Sequence, residues 1–448
     1  MNIKKLLVLT ISFLLLPAAI CAQETAEPMI EEPIIQINTL DDFEKALNQS
    51  NQQLEQFSPR TLAEAQEMVS AFNEDAPAAQ TDIPRGQAAE KLWQFVVFLG
   101  AHDDNSRNRH VNRAIVRAMK RGHIARVAVL EEPLPETQST ENAETAPLYV
   151  YTLQNGQVHK DTYALSRYLS VIDTVSALFS YIGNSPFKDT YLGMMINMHG
   201  TNKGMYLYNL YAHGGRISAE RTLDLAKKQG LFIDVLDLES CHMGSMETLL
   251  ALIKKENVHY ALVSPNLGTS IDLPHGLVRE AAFSPEYVAK YTLLADHSES
   301  MEYGSTYYTY SKALWNIPAL KKPISHWISE WNQTEGFFNE LVRSQVVEEK
   351  FVSLLRVARK IEKVIGTSGD FSNRENFEKA NKELLTVISP KSMPQYCYSK
   401  KLDRFYSISS YERHLPPLNS DCIASVNVDV GNLVWREYKP PVYPHIIF

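Results

Sequence analysis

Apolar residues in this chain gather into short unbroken runs and into longer periodic stretches, and the two kinds alternate. Trp93-Gln94-Phe95-Val96-Val97-Phe98-Leu99 is a run stopped by Gly100, as suits a strand buried on both faces. Further strands are predicted over Arg126 to Leu130, over Leu148 to Leu153 before the turn residues Asn155-Gly156, over Met194 to Met198, over Leu231 to Leu236 and over His259 to Ser264. Helical spacing runs over Thr61 to Phe72, Val111 to Arg121 (ended by Gly122), Asp161 to Ile182, Ser218 to Gln229 and Met246 to Lys255. Strands alternating with helices predict an α/β fold, a mostly parallel sheet sandwiched by helices with right-handed crossovers.

The pattern differs on either side of that unit. Residues 23–60 are acidic, contain Gln and Pro, and read as an extended arm; Asn73 to Arg85 has linker composition. Glu131 to Pro147 is poor in apolar residues and reads as a loop. After Phe283 helical periodicity dominates, over Ala313 to Trp331, Phe337 to Ile365 and Asn376 to Ile388, and the last sixty residues are rich in Tyr and Pro with short strand-like runs. The expected organisation is a leader over 1–22, an arm and linker over 23–89, an α/β domain over 90–285, and a mainly helical region with a Tyr/Pro-rich tail over 286–448. No repeat at solenoid spacing occurs.

The first residues change the expected compartment. Lys4-Lys5, an apolar run from Leu6 to Leu16, and Cys21-Ala22 read as a secretory signal peptide cleaved after Ala22, with a lipid anchor on Cys21 as the alternative. The protein is expected to be exported, periplasmic or secreted. No later stretch is long and apolar enough to span a membrane. Net charge is −8 and the 44 Lys and Arg are scattered, which points away from nucleic acid as a partner. Beyond the leader three cysteines remain, Cys241, Cys397 and Cys422. An odd count leaves one thiol over. Cys397 and Cys422 can pair, closing a loop worth about 3 kcal/mol on the chain-entropy view; the alternative is three reduced, buried thiols.

Two of the predicted strands end in reactive side chains. Met194 to Met198 leads into His199-Gly200, and the run from Leu231 leads into Asp237-Leu238-Glu239-Ser240-Cys241-His242-Met243-Gly244-Ser245. In an open parallel sheet active sites form beyond the carboxyl ends of the strands. A thiol and an imidazole there can act as nucleophile and acid/base partner. The N–H groups of Gly200 and Cys241 are candidate donors for an oxyanion, and a helix starting just after Cys241 favours the thiolate. Taken singly, each residue has a plainer reading as a core thiol or a polar residue beside a turn.

These residues resemble the caspase-like clan of cysteine peptidases, and within it the clostripain (C11) family. The resemblance rests on Met194–Gly200 and Leu231–Cys241 in that order, and on Cys241-His242-Met243-Gly244-Ser245-Met246-Glu247, similar to the family's Cys-Leu-Met-Gly-Ser-x-Glu. It extends over roughly residues 90–390, including the first strand with Asp103-Asp104-Asn105 after it, the strand Tyr260–Ser264, and Thr306–Trp331. It implies a caspase-like fold and endopeptidase activity on protein or peptide substrates, with Cys241 as nucleophile and His199 as general acid/base. It further implies cleavage after Arg or Lys, with carboxylates in the P1 pocket. Glu239 stands where the family commonly has Asp, Asp272 is the second candidate acid, and Ser264-Pro265-Asn266 departs from the family's Ser-Glu-Glu. A cap or salt-bridge role for Glu239 is equally open. Self-cleavage after Lys203, Arg216 or Arg221 is implied by some members. No cofactor is expected; calcium, which some members use, would find ligands in Asp103 and Asp104. His213 and His242 are read as non-catalytic.

Other classes fit less well. No His-Glu-x-x-His or paired-Cys spacing supports a zinc hydrolase, and no Gly-x-Ser-x-Gly elbow supports a serine hydrolase. The rival readings are a catalytically silent binding module on the same fold, and a transpeptidase or ligase.

Overall fold

The structure is a computed structural model. It describes residues 29–72, 88–99, 115–131, 145–166, 168–187, 189–197, 200–201, 204–207, 217–239, 243–244, 246–263, 281–295, 309–334, 337, 351–365, 371–388, 397–401 and 425–427. The expected leader, Cys422 and most of the C-terminal tail lie outside the described residues, and with them the expected Cys397–Cys422 bridge.

The N-terminal strands are β1 (Ile30–Glu31) and β2 (Ile35–Ile37). Then come β3 (Trp93–Leu99), β4 (Ile124–Glu131), β5 (Thr145–Gln154), β6 (Gln157–Ser166) and β7 (Tyr191–Asn197). A small three-stranded unit follows, β8 (Gly200–Thr201), β9 (Gly204–Leu207) and β10 (Ile217–Ser218). The remaining strands are β11 (Ile233–Glu239), β12 (Val258–Val263), β13 (Thr309–Asn316), β14 (Phe351–Ser353), β15 (Cys397–Lys401) and β16 (Ser425–Asn427). The helices are α1 (Leu40–Phe57), α2 (Leu62–Phe72), α3 (Val171–Gly183), α4 (Ala219–Lys228), α5 (Met246–Lys255), α6 (Pro285–Ala295), α7 (Ile317–Asn332), α8 (Leu354–Ile365) and α9 (Arg374–Ile388).

The main sheet has the order β1-β6-β5-β4-β3-β7-β11-β12-β13-β15, with β2 also beside β6. Its centre is parallel, from β4 through β3, β7 and β11 to β12. Antiparallel strands flank it, β5 and β6 on one side and β13 and β15 on the other. All seven residues of β3 are buried, as suits a predominantly apolar strand covered on both faces. On one face Phe98 meets Phe179 of α3 edge-on, and α1, α3, α4, α5 and α7 lie side by side in that order. On the other face Trp93 donates to the carbonyl of Phe283, just ahead of α6, which packs on β11, β12, β13 and β15. The expected fold class, a mostly parallel sheet sandwiched by helices, is what the chain forms.

Three expectations are corrected. Asp161 to Ile182 is not one helix: β6 runs to Ser166, and α3 starts only after Ser170, whose side chain accepts from Asp173 N–H. The turn Asn155-Gly156, with φ of 48° and 77°, folds β6 back on β5, and ten registered pairs then outweigh the local helical spacing. Ala313 to Trp331 is likewise split. β13 adds to the sheet and ends at Asn316, whose side chain caps α7 by accepting from Ala319 N–H. Third, the stretch 23–60 is no extended arm where it is described. Thr39 caps the 18-residue α1, which buries Phe43, Leu47 and Leu54, and β1 and β2 pair with β6.

The helical region after β13 is held by an aromatic cluster of Trp327, Trp331 and Phe377. Asn381 accepts from Trp327 Nε1 at 2.9 Å and donates to the Ala358 carbonyl at 2.9 Å, tying α7, α8 and α9 together.

Candidate functional site

The strand order reverses at β3. From β3 the chain steps one way to β4; later it steps the other way from β7 to β11 and β12. In sheets of this kind ligand sites form beyond the carboxyl ends of the strands at such a reversal. The residues at those ends are in register: Leu99 of β3 pairs with Asn197 of β7, and Asn197 with Glu239 of β11. His199 follows Asn197 by two residues, and Cys241 follows Glu239 by two.

Two features fix this register from below. Leu192 N–H of β7 donates to Asp234 Oδ2 of β11 at 2.8 Å, joining the strands near their starts. Burial pushes the Asp234 carboxyl up to about 6, opposed by the Leu192 N–H and by Lys91. Gly193 leaves room for the ring of Phe95, which stacks on Trp93 at 5.2 Å. Past β11, Met243 and Gly244 are buried, and α5 begins at Met246 with Met246, Leu249 and Leu252 in the core.

Of the sequence-predicted site residues, Gly200 opens β8 and pairs with Met205 of β9, and Glu239 closes β11. His199, Cys241 and Asp272 lie outside the described residues, as do Asp103, Asp104, Lys203, His213, Arg216 and His242. Arg221 stands exposed in the first turn of α4. Among the described residues no group of three or more His, Cys, Asp or Glu is placed to hold a metal. No described helix is long and apolar enough to cross a membrane.

Two residues near the carboxyl ends of β7 and β11 were not singled out from sequence. Asn197 and Asp237 are each 0% exposed, at or near the carboxyl ends of those strands. The signal was available as polar residues breaking the runs just ahead of His199 and Cys241.

No protein-family model matches the sequence, and no curated protein matches it. Solved structures do resemble the fold. One is an inactive zymogen C11 protease from Parabacteroides distasonis: TM-score 0.47, 12% identity, 75% of this chain and 91% of that one covered. Another is a secreted C11 cysteine protease from Bacteroides thetaiotaomicron: TM-score 0.47, 12% identity, 75% and 93% covered. A complex of such a protease from that organism with an irreversible peptide inhibitor gives a TM-score of 0.44 at 14% identity, with 72% and 95% covered.

Proposed function

We propose that the chain is an exported cysteine endopeptidase that hydrolyses peptide bonds with Cys241 and His199. The observation that carries this is the register of Asn197 with Glu239 on adjacent parallel strands beside the reversal of strand order. Two strands matched to the residue lead into His199-Gly200 and Cys241 on the same edge of the sheet, the edge where α/β sheets bind ligands.

The chemistry follows from the residue types. The Cys241 thiolate attacks the scissile carbonyl carbon, and the carbonyl electron pair moves onto oxygen. Backbone N–H groups of Gly200 and Cys241 stabilise that oxyanion. On collapse the C–N bond breaks, and His199 gives the leaving amine its proton. Water, deprotonated by His199, then cleaves the thioester and restores the thiol. No cofactor is needed for any step. Glu239 and Asp272 supply carboxylates for a basic P1 side chain, so cleavage follows Arg or Lys.

The test is an assay of the full exported chain against Cys241→Ala and His199→Ala on fluorogenic peptides ending in Arg, Lys, Asp or Leu, with calcium and with chelator. Cleavage by the wild type alone supports the reading, and equal rates with chelator support a calcium-independent enzyme. Silence from folded wild type, before and after limited trypsin treatment, replaces it with the silent binding module. Peptide transfer to an added amine in place of hydrolysis replaces it with a transpeptidase.

A further inference from the structure

We propose that Asn197 and Asp237 are positioning residues, a buried polar pair that orients the two reactive steps; this rests on the peptidase reading above. Registered residues on neighbouring strands share a face of the sheet, and so do residues two apart along one strand. Asn197 is registered with Glu239, and Asp237 with Met195 of β7 and Leu262 of β12. Asn197 and Asp237 therefore form a polar strip at the carboxyl end of a single face. Further back, the same face carries Val235, Met195 and Val97, and Phe95 over Gly193. The strip lies beyond this apolar floor, Asn197 two residues before His199 and Asp237 four before Cys241 in sequence.

Burial makes the strip informative. Asn197 and Asp237 are 0% exposed. Placing an amide and a carboxylate out of water costs free energy unless their hydrogen bonds are met, and strand packing alone is served by aliphatic residues, as at Val97 and Leu262. An amide offers two donors and an acceptor, and a carboxylate offers acceptors. Such groups directly beneath a strand end can hold the polar backbone of the turn that follows. Displacement of about 1 Å there is enough to cost an acyl-transfer enzyme a large part of its rate. The polar strip is thus suited to fixing where thiol, imidazole and oxyanion donors stand relative to one another, with no contact to the substrate.

Near-isosteric variants of the full chain test this: Asn197→Asp, which removes both donors, and Asp237→Asn, which exchanges an acceptor for a donor. The readouts are kcat and KM per folded enzyme, thermal midpoint, and the rate of Cys241 alkylation by iodoacetamide. A positioning role lowers kcat by about tenfold or more in each variant, keeps KM within about twofold, and slows alkylation. Where Asn197→Asp does not fold, Asn197→Ala takes its place. Active wild type, with both variants folded and unchanged in kcat and alkylation, overturns the inference alone, and a lowered midpoint would then mark the pair as structural. Wild type that cleaves no peptide, with Cys241 alkylated no faster than a small-molecule thiol, overturns the peptidase reading itself and this inference with it.

Discussion

The ring of Phe95 fills the space that a side chain on Gly193 would need: a Cβ at position 193 would stand inside van der Waals contact with Phe95 Cδ1 and Cε1. Phe95 and Gly193 are registered partners on β3 and β7, the strands at which the sheet reverses its order. Phe95 is also stacked on Trp93, with an interplanar angle of 8°, so the ring cannot turn away without disturbing a second aromatic. Gly193→Ala is therefore expected to destabilise the fold by about 1–3 kcal/mol through overpacking. Urea unfolding measures this; a midpoint equal to wild type would mean that the ring moves aside at no cost.

Arg126 of β4 is fully buried, and among the described residues no carboxylate is a hydrogen-bond partner of it. Its Nε and Nη2 donate to Gln94 Oε1 at 3.1 and 2.6 Å, its Nη1 donates to Asn51 Oδ1 of α1 at 3.2 Å, and its guanidinium lies 4.1 Å from the Tyr181 ring centroid. Asn51 in turn donates to the Tyr181 carbonyl, and Ser50 shares a hydrogen bond with the Tyr181 hydroxyl. One planar fork thus ties α1 and α3 to the sheet. Arg126→Ala is expected to cost about 3–5 kcal/mol, from lost packing and an orphaned Gln94 oxygen. Arg126→Lys should recover less than half of that, because an ammonium neither forks nor stacks as a guanidinium does. Denaturant midpoints for both variants decide it; a lysine variant as stable as wild type would show that charge alone is sufficient.

The centre of the sheet was legible because β3 and β7 are predominantly apolar runs bounded by turn residues. The edges were not, for a physical reason. β1 and β2 are two and three residues long, too short to display any period, and only pairing with β6 makes them strands. β6 carries apolar residues at spacings that suit either periodicity, and its identity comes from β5 across the Asn155-Gly156 turn. At the site, the steps into His199 and Cys241 could be read from order and chemistry. The burial of Asn197 and Asp237 could not, because a polar residue in a run does not reveal whether its face is covered.

Asp234 gives a pH dependence whose direction is set by burial. Its carboxyl is pushed up to about 6 from the ordinary 3.8, despite the Leu192 N–H and Lys91. Between those values the folded protein holds more proton than the unfolded chain, so stability falls as pH rises from about 4 to about 6 and is level above that. The contribution is on the order of 2 kcal/mol. Asp161, raised to about 6 by burial and by Glu32, acts in the same window. Asp234→Asn keeps a carbonyl oxygen for the Leu192 N–H and cannot ionise. Its stability relative to wild type should therefore improve from about pH 4 to about pH 6 and then level off. Urea midpoints that run parallel for the two proteins across that range would refute the assignment.

Glu239 decides the specificity part of the proposed function. It closes β11 in register with Asn197, two residues before Cys241 in sequence. A carboxylate that receives a basic P1 side chain contributes a charge-assisted hydrogen bond, and its loss is expected to lower kcat/KM on Arg and Lys peptides by about ten- to a hundredfold. Glu239→Gln should show that loss while cleavage after Leu stays unchanged, and Asp272→Asn should show it as well if both acids share the pocket. A glutamate that only caps or braces the strand end gives another pattern, in which all substrates slow together and the thermal midpoint falls. The P1 profile and the midpoint of Glu239→Gln, measured on one preparation, separate recognition of the substrate from support of the strand.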